Sequence, residues 1–286
     1  MRGLVGSGTL AVLLGLIVGG IVVGCSNSPP PIKVAAKVGG DTEDQEAPAI
    51  SVVQKPEKSD PVSLAVVEAA VKAHTGGKPE LLQLLKSVTA TREGLGSSNT
   101  IDRLAQRWRY HMIWPGKIRI HVDFLNSNDY ATFAVSGDTF WIAATKTPTK
   151  QVADAKLAAD MILDMSAEWF LLLFPLTEPT TIFAPAQDGF PNGKPATGVR
   201  VWAKGITDAV LYFDKETKLL GQVRFDGREA ALKVTKDVLV FVNKPFAGVL
   251  LPERIEVRSN GRYIFDWTQT EFLANQSIDP KVFENP

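Results

Sequence analysis

The stretch "ERIEVRSNGRYIFDW", residues 253–267, sets two short alternating runs on either side of Asn260-Gly261. Apolar and charged side chains take turns with the period of a β-strand. Asn-Gly readily supplies the positive φ that both central positions of a type I′ turn require. The segment therefore reads as a hairpin, and the same signature recurs on both sides of it. Upstream, "DVLVFVN" (237–243) reads as a strand, "AVLYFDKETKLLGQVRFDG" (209–227) as a hairpin and "TGVRVWAKG" (197–205) as a strand. Downstream, "TEFLAN" (270–275) closes the series.

Earlier in the chain, "GKIRIHVDF" (116–124) puts Ile118, Ile120, Val122 and Phe124 on one face, with Lys117, Arg119, His121 and Asp123 on the other. "YATFAVSGDTFWIAA" (130–144) reads as two strands around Ser136-Gly137-Asp138. Three stretches have helical spacing instead. Asp60 as N-cap and Pro61 at the first helical position open one containing Leu64, Val67, Ala70 and Val71, which Gly76-Gly77 ends. Pro79 opens a second, with Leu81, Leu84, Leu85 and Val88 on one stripe, fading only by residues 94–96. Residues 151–174 read as one long third helix, stopped by Pro175, with Leu157, Met161, Met165, Trp169 and Leu172 on its apolar side.

About ten strands in consecutive hairpins and three helices give an α+β fold. A closed barrel would hide its own interior and leave the helices nothing to cover. The inventory instead predicts a large curved antiparallel sheet, an open or half β-barrel, with helices covering its concave face. Large side chains expected to line the space beneath them are Leu85, Phe124, Trp141, Met161, Met165, Trp169, Phe213, Phe225, Phe241 and Trp267. Aromatic and methionine side chains suit an irregular apolar ligand, and they equally suit a filled core.

Residues 3–24 carry no charge and follow Arg2, the pattern of a secretory signal. Val22-Val23-Gly24-Cys25 resembles the bacterial lipobox, in which the cysteine is acylated and becomes the mature N-terminus. Cys25 is the chain's one cysteine, so no intramolecular disulfide is possible and cysteine-built zinc clusters are excluded. The apolar run is also long enough to remain as a membrane helix. The cysteine's place at the cleavage position favours lipidation. Ser26 is not the aspartate that retains lipoproteins at the inner membrane in enteric bacteria, which points to the outer membrane. The expected organisation is a signal peptide over 1–24, a lipidated flexible tether over 25–60 and one domain over 61–286. The tether is rich in Pro, Ser, Gly and charge and contains no aromatic residue.

Formal charge is balanced, 31 basic against 31 acidic residues, which argues against nucleic acid as a partner. No phosphate loop or nucleophile-elbow motif occurs. His74, His111 and His121 have no metal-ligand spacing, so neither a metal nor a cofactor is expected, and the chain does not read as an enzyme. Asp160, Asp164 and Glu168 fall at helical spacing and read as a solvated face.

Several ordered stretches resemble the outer-membrane lipoprotein-sorting proteins, the LolA/LolB-like carriers. They are "WPGKIRIHVDF" (114–124), "VSGDTFWIAA" (135–144), the 209–227 hairpin, "LPERIEVRSNGRYIFDW" (251–267) and the closing "NQSIDPKVFENP" (275–286). The resemblance spans about residues 80–286. It implies a half-barrel roofed by helices whose hollow binds lipoprotein acyl chains or other lipids, in lipoprotein sorting or lipid transfer. It also implies a lipid-anchored place in the bacterial envelope facing the periplasm. Relatives of this fold also act as stress sensors, so an interaction module with a filled core and an envelope protein partner is the alternative. Soluble carriers commonly have an arginine before the early proline; here it is Trp114.

Overall fold

The computed structural model describes residues 54–96, 104–145, 147–152, 154–229 and 232–284. The expected signal peptide, Cys25 and the tether up to residue 53 lie outside the described residues. The last two residues of the expected tether are held in place. Asp60 N–H donates to Phe183 O (2.9 Å), and Phe183 N–H donates to Ser59 Oγ (3.1 Å).

Thirteen strands form one antiparallel sheet: β1 (Ser87–Gly96), β2 (Leu104–Ile113), β3 (Lys117–Phe124), β4 (Tyr130–Ser136), β5 (Thr139–Ala144), β6 (Thr147–Gln151), β7 (Ile182–Pro185), β8 (Ala196–Trp202), β9 (Ala209–Asp214), β10 (Leu220–Glu229), β11 (Leu232–Phe246), β12 (Val249–Ser259) and β13 (Arg262–Ala274). Their order is β6-β5-β4-β3-β2-β1-β13-β12-β11-β10-β9-β8-β7. Every neighbour is also a neighbour in sequence except β1 and β13. The sheet is thus two meanders joined at one seam, with β6 and β7 as its two outermost strands. The expected open α+β architecture is what the chain adopts.

Among the described residues three α-helices lie against it: α1 (Pro61–Thr75), α2 (Ala155–Ser166) and the short α3 (Glu168–Leu171). α2 packs against both β5 and β10, which stand on opposite sides of the seam. One helix can reach both strands only if the sheet curves around it. The inner face and the helices form a single apolar core whose largest enclosed side chains include Trp169, Phe170, Phe174, Phe213 and Trp267. Trp114 packs edge-on against Trp169 (5.1 Å) and Phe174 (5.3 Å). Such pairs each add about 0.5–1.5 kcal/mol beyond burial.

The capping signals act as read. Asp60 Oδ2 accepts from Ser63 N–H (2.7 Å), and Gly76 ends α1 in the left-handed conformation. Asn260 and Gly261 both have positive φ, as the type I′ turn requires. Asn260 also exchanges backbone and side-chain bonds with Thr235, which ties the turn to β11.

Two helices are shorter than expected. After Pro79 the chain makes only a 3-10 segment to Lys86, and residues 87–96 become β1. Val88, Ala90 and Arg92 turn inward, alternating with Thr89, Thr91 and Glu93, so the period is two and not 3.6. Residues 151–174 divide into the end of β6, α2 and α3, and Leu173 with φ 60° closes the last turn before Pro175.

The seam is tight at Gly94. A β-carbon there would lie 1.9 Å from the backbone oxygen of Asp266 on β13. Gly94→Ala must therefore push the two strands apart, and we expect a loss of about 2 kcal/mol, read from the denaturant midpoint. An unchanged midpoint would mean that the seam yields freely.

Candidate functional site

A cleft lies between the α2–α3 cap and the inner face of the sheet. Strands from both halves build its walls: Trp108 and Tyr110 on β2, Ile120 on β3, Phe225 on β10, Val238 on β11 and Phe265 on β13. Met165 and Leu171 close it from the helices. Its free volume is about 90 Å³, less than the ~150 Å³ of an apolar cavity known to admit benzene. In this conformation the cap and sheet nearly fill the space between them.

The cap is fastened to the sheet by charge as well as by packing. Asp160, Asp164 and Glu168, expected to be a solvated face, point instead at three different strands. Asp160 pairs with Arg228 of β10 (3.0 Å), Asp164 with Lys236 of β11 (2.6 Å) and Glu168 with Arg92 of β1 (2.8 Å). The spacing of about one turn that aligns carboxylates on a helix also lets each meet a different strand. Asp164 and Lys236 are both buried and sit over Gly227. A β-carbon there would come within 2.7 Å of Asp164 Oδ1. Burial pushes the Asp164 carboxyl up, while the Lys236 ammonium pulls it back toward ionisation.

Arg92 is the least expected member. Only 2% of it is exposed, and its guanidinium is stacked 4.0 Å from the Tyr110 ring centre and 3.9 Å from that of Trp267. Two cation–π contacts, the Glu168 carboxylate and the Gln269 Oε1, which accepts from Arg92 Nε (3.4 Å), replace the water this cation gave up. Burial, followed by the nearby Glu168 carboxylate, pushes the Tyr110 phenol up.

Of the residues expected to line a hollow, Met165 and Phe225 do so. Leu85, Phe124, Met161, Trp169, Phe213 and Trp267 are buried within the surrounding core. Trp141 and Phe241 lie elsewhere. Trp141 falls between the inward Phe140 and Ile142, so strand parity sends it to the outer face. Phe241 sits at the bulge between Val240 and Val242 and is 44% exposed. The residues missed include Ile120, Leu171, Val238 and Phe265, and above all those of β2. "LAQRWRYHMI" alternates Gln106, Trp108, Tyr110 and Met112 inward, a pattern legible in the sequence. A second hollow, shallower and about 420 Å³, lies between α1 and the 3-10 turns, lined by Leu64, Val71, Pro79 and Leu176. None of the ten expected residues borders it.

No cluster of three His, Cys, Asp or Glu side chains able to hold a metal occurs among the described residues. No helix among them is long and apolar enough to cross a membrane.

No family model and no curated protein matches the chain. Solved structures do. A LolA superfamily protein from Nitrosomonas europaea matches over 77% of this chain and 96% of its own, at 8% identity and a TM-score of 0.48. The chain is similar to LolA-superfamily structures. A Vibrio parahaemolyticus domain described as an outer membrane lipoprotein-sorting protein domain covers 78% of this chain and 96% of its own, at 10% identity and TM-score 0.46. A DUF1329 family protein from Desulfovibrio piger covers 79% and 98%, at 11% identity and TM-score 0.48.

Proposed function

We propose that this chain binds an apolar ligand, an acyl chain of a lipoprotein or lipid, between the α2–α3 cap and the sheet, without catalysis. It does so while moored to the bacterial outer membrane through an acylated Cys25. The observation that carries the reading is the cleft itself: aromatic and aliphatic walls from both halves of an open sheet, under a cap clasped by separable ion pairs. A free volume of about 90 Å³ holds no acyl chain, so the cap must rise as the ligand enters. Ion pairs suit that task better than packing alone. Each pair can be re-solvated when broken, whereas apolar surface left open can be covered only by the ligand.

The same small volume favours the second reading, an envelope interaction or stress-sensing module whose core stays filled. Binding separates the two. Protein purified from membranes should release lipid detectable by mass spectrometry, and it should bind a fluorescent fatty-acyl probe. Val238→Phe, which adds a ring to the cleft wall, should weaken probe binding about tenfold, or ~1.4 kcal/mol, and lower stability by about 1–3 kcal/mol through overpacking. Absence of both copurified lipid and probe binding would leave the filled-core module.

A further inference from the structure

The outer face of the sheet carries a basic cluster that the cleft does not use. Cross-strand register places His111 of β2 opposite Arg119 of β3, and Arg109 opposite His121. Lys117 lies two residues before Arg119 on the same face. The carboxylates of the neighbouring positions are already engaged. Asp123 receives two bonds from Arg109 (2.8 and 3.1 Å) and lies 3.1 Å from His121 Nε2, while Glu93 pairs with Arg107 (2.7 Å). Arg119 and His111 have no such partner among the described residues. Both are half-buried, and Arg119 Nε and His111 Nδ1 are enclosed without a hydrogen bond. The Lys117 ammonium lies over the Phe283 ring, 5.9 Å from its centre. Phe283 belongs to the C-terminal 3-10 turn (Pro280–Phe283), which packs on β3 and β4 and walls the cluster on one side.

A half-buried guanidinium without a counter-ion has lost water and gained nothing in exchange. For Arg119, burial and then Arg109 disfavour the charge; for His111, burial, then Arg119 and Arg109 do so. An oxyanion placed here would meet a planar donor fork, an ammonium and an imidazole, the complement that phosphate prefers. We infer that Arg119, His111 and Lys117 form an anion site on the outer face that takes a phosphate group, either free or as a phospholipid headgroup. This site is independent of the acyl-binding proposal: it faces away from the cleft and shares no residue with it.

The test uses the full chain in neutral detergent micelles, titrated with inorganic phosphate at constant ionic strength. The readouts are the ³¹P linewidth and the imidazole proton shifts of His111. A saturable response with a raised His111 titration midpoint is expected, weakened about tenfold or more in Arg119→Gln, the loss of a charge-assisted bond. Lys117→Gln should weaken it less, and both variants should keep the wild-type thermal midpoint. A second arm places the chain in phosphatidylcholine nanodiscs with or without phosphatidylglycerol, with no phosphate added. A His111 shift confined to the anionic discs identifies the headgroup as the source, and a response to inorganic phosphate alone identifies the free ion. No saturable response in either arm, or an equal response in Arg119→Gln, overturns the site.

Discussion

Arg92→Met is expected to lower the unfolding free energy by about 3–5 kcal/mol, because it leaves a carboxylate in a largely apolar setting without its cation. Glu168 is only 17% exposed, and Arg92 Nη1 is 2.8 Å from its Oε2. The methionine retains the stem but not the charge, so Tyr110 and Trp267 also lose the cation between their rings. The penalty belongs to the orphaned partner more than to the lost bond. Replacing both members, as in Arg92→Met with Glu168→Leu, should therefore recover most of the loss, to within about 1 kcal/mol of wild type. Urea unfolding of the four proteins of this cycle is the measurement. A single substitution costing less than about 1 kcal/mol would show that water reaches the pair. The cycle also bears on function: the double variant removes one of the three clasps on the cap, so it should take up the acyl probe faster than wild type.

Acid should destabilise the fold through His74. This residue is buried in α1 and joins two strands. Its Nε2 accepts from the Leu220 N–H of β10 (2.8 Å), and its Nδ1 donates to the Leu250 carbonyl of β12. Accepting at Nε2 requires a neutral ring. Burial, partly opposed by the bond to Leu250, lowers its pKa to about 4 from 6.5. A depressed histidine pKa favours the neutral form in the folded state, so the stabilisation is fully present above pH 6.5. It is lost as pH falls toward 4. The span corresponds to about 3 kcal/mol. Burial also lowers His111 and His121, which contribute in the same direction. The difference between wild type and His74→Gln isolates the one residue. Glutamine can donate and accept without titrating, so the variant's unfolding free energy should fall less between pH 7 and pH 4.5. Parallel pH profiles for the two proteins would remove His74 from the account.

The chain's local signals were enough to set its class. Asn260-Gly261, the alternation over 116–124, and the Asp60 and Gly76 caps each depend on residues within a few positions of one another. Each is found in the structure as read. β1 was hidden because Leu81 to Val88 imitates a helical stripe, and nothing local announces that its partner is β13, about 180 residues away. Trp141 could have been assigned to the outer face from parity alone. Phe241 could not, because the bulges beside it reset the count.

The amino-acid sequence by itself determined an alternating, hairpin-rich chain with apolar helices, because periodicity and turn chemistry act between near neighbours. Only the tertiary structure decided what the carboxylates at 160, 164 and 168 do. Their partners lie on β10, β11 and β1, and for Glu168 and Asp164 they are 76 and 72 residues away. Closing the sheet around the cap brings these charges together. That curvature is a property of thirteen strands acting at once, which no single stretch of the chain encodes.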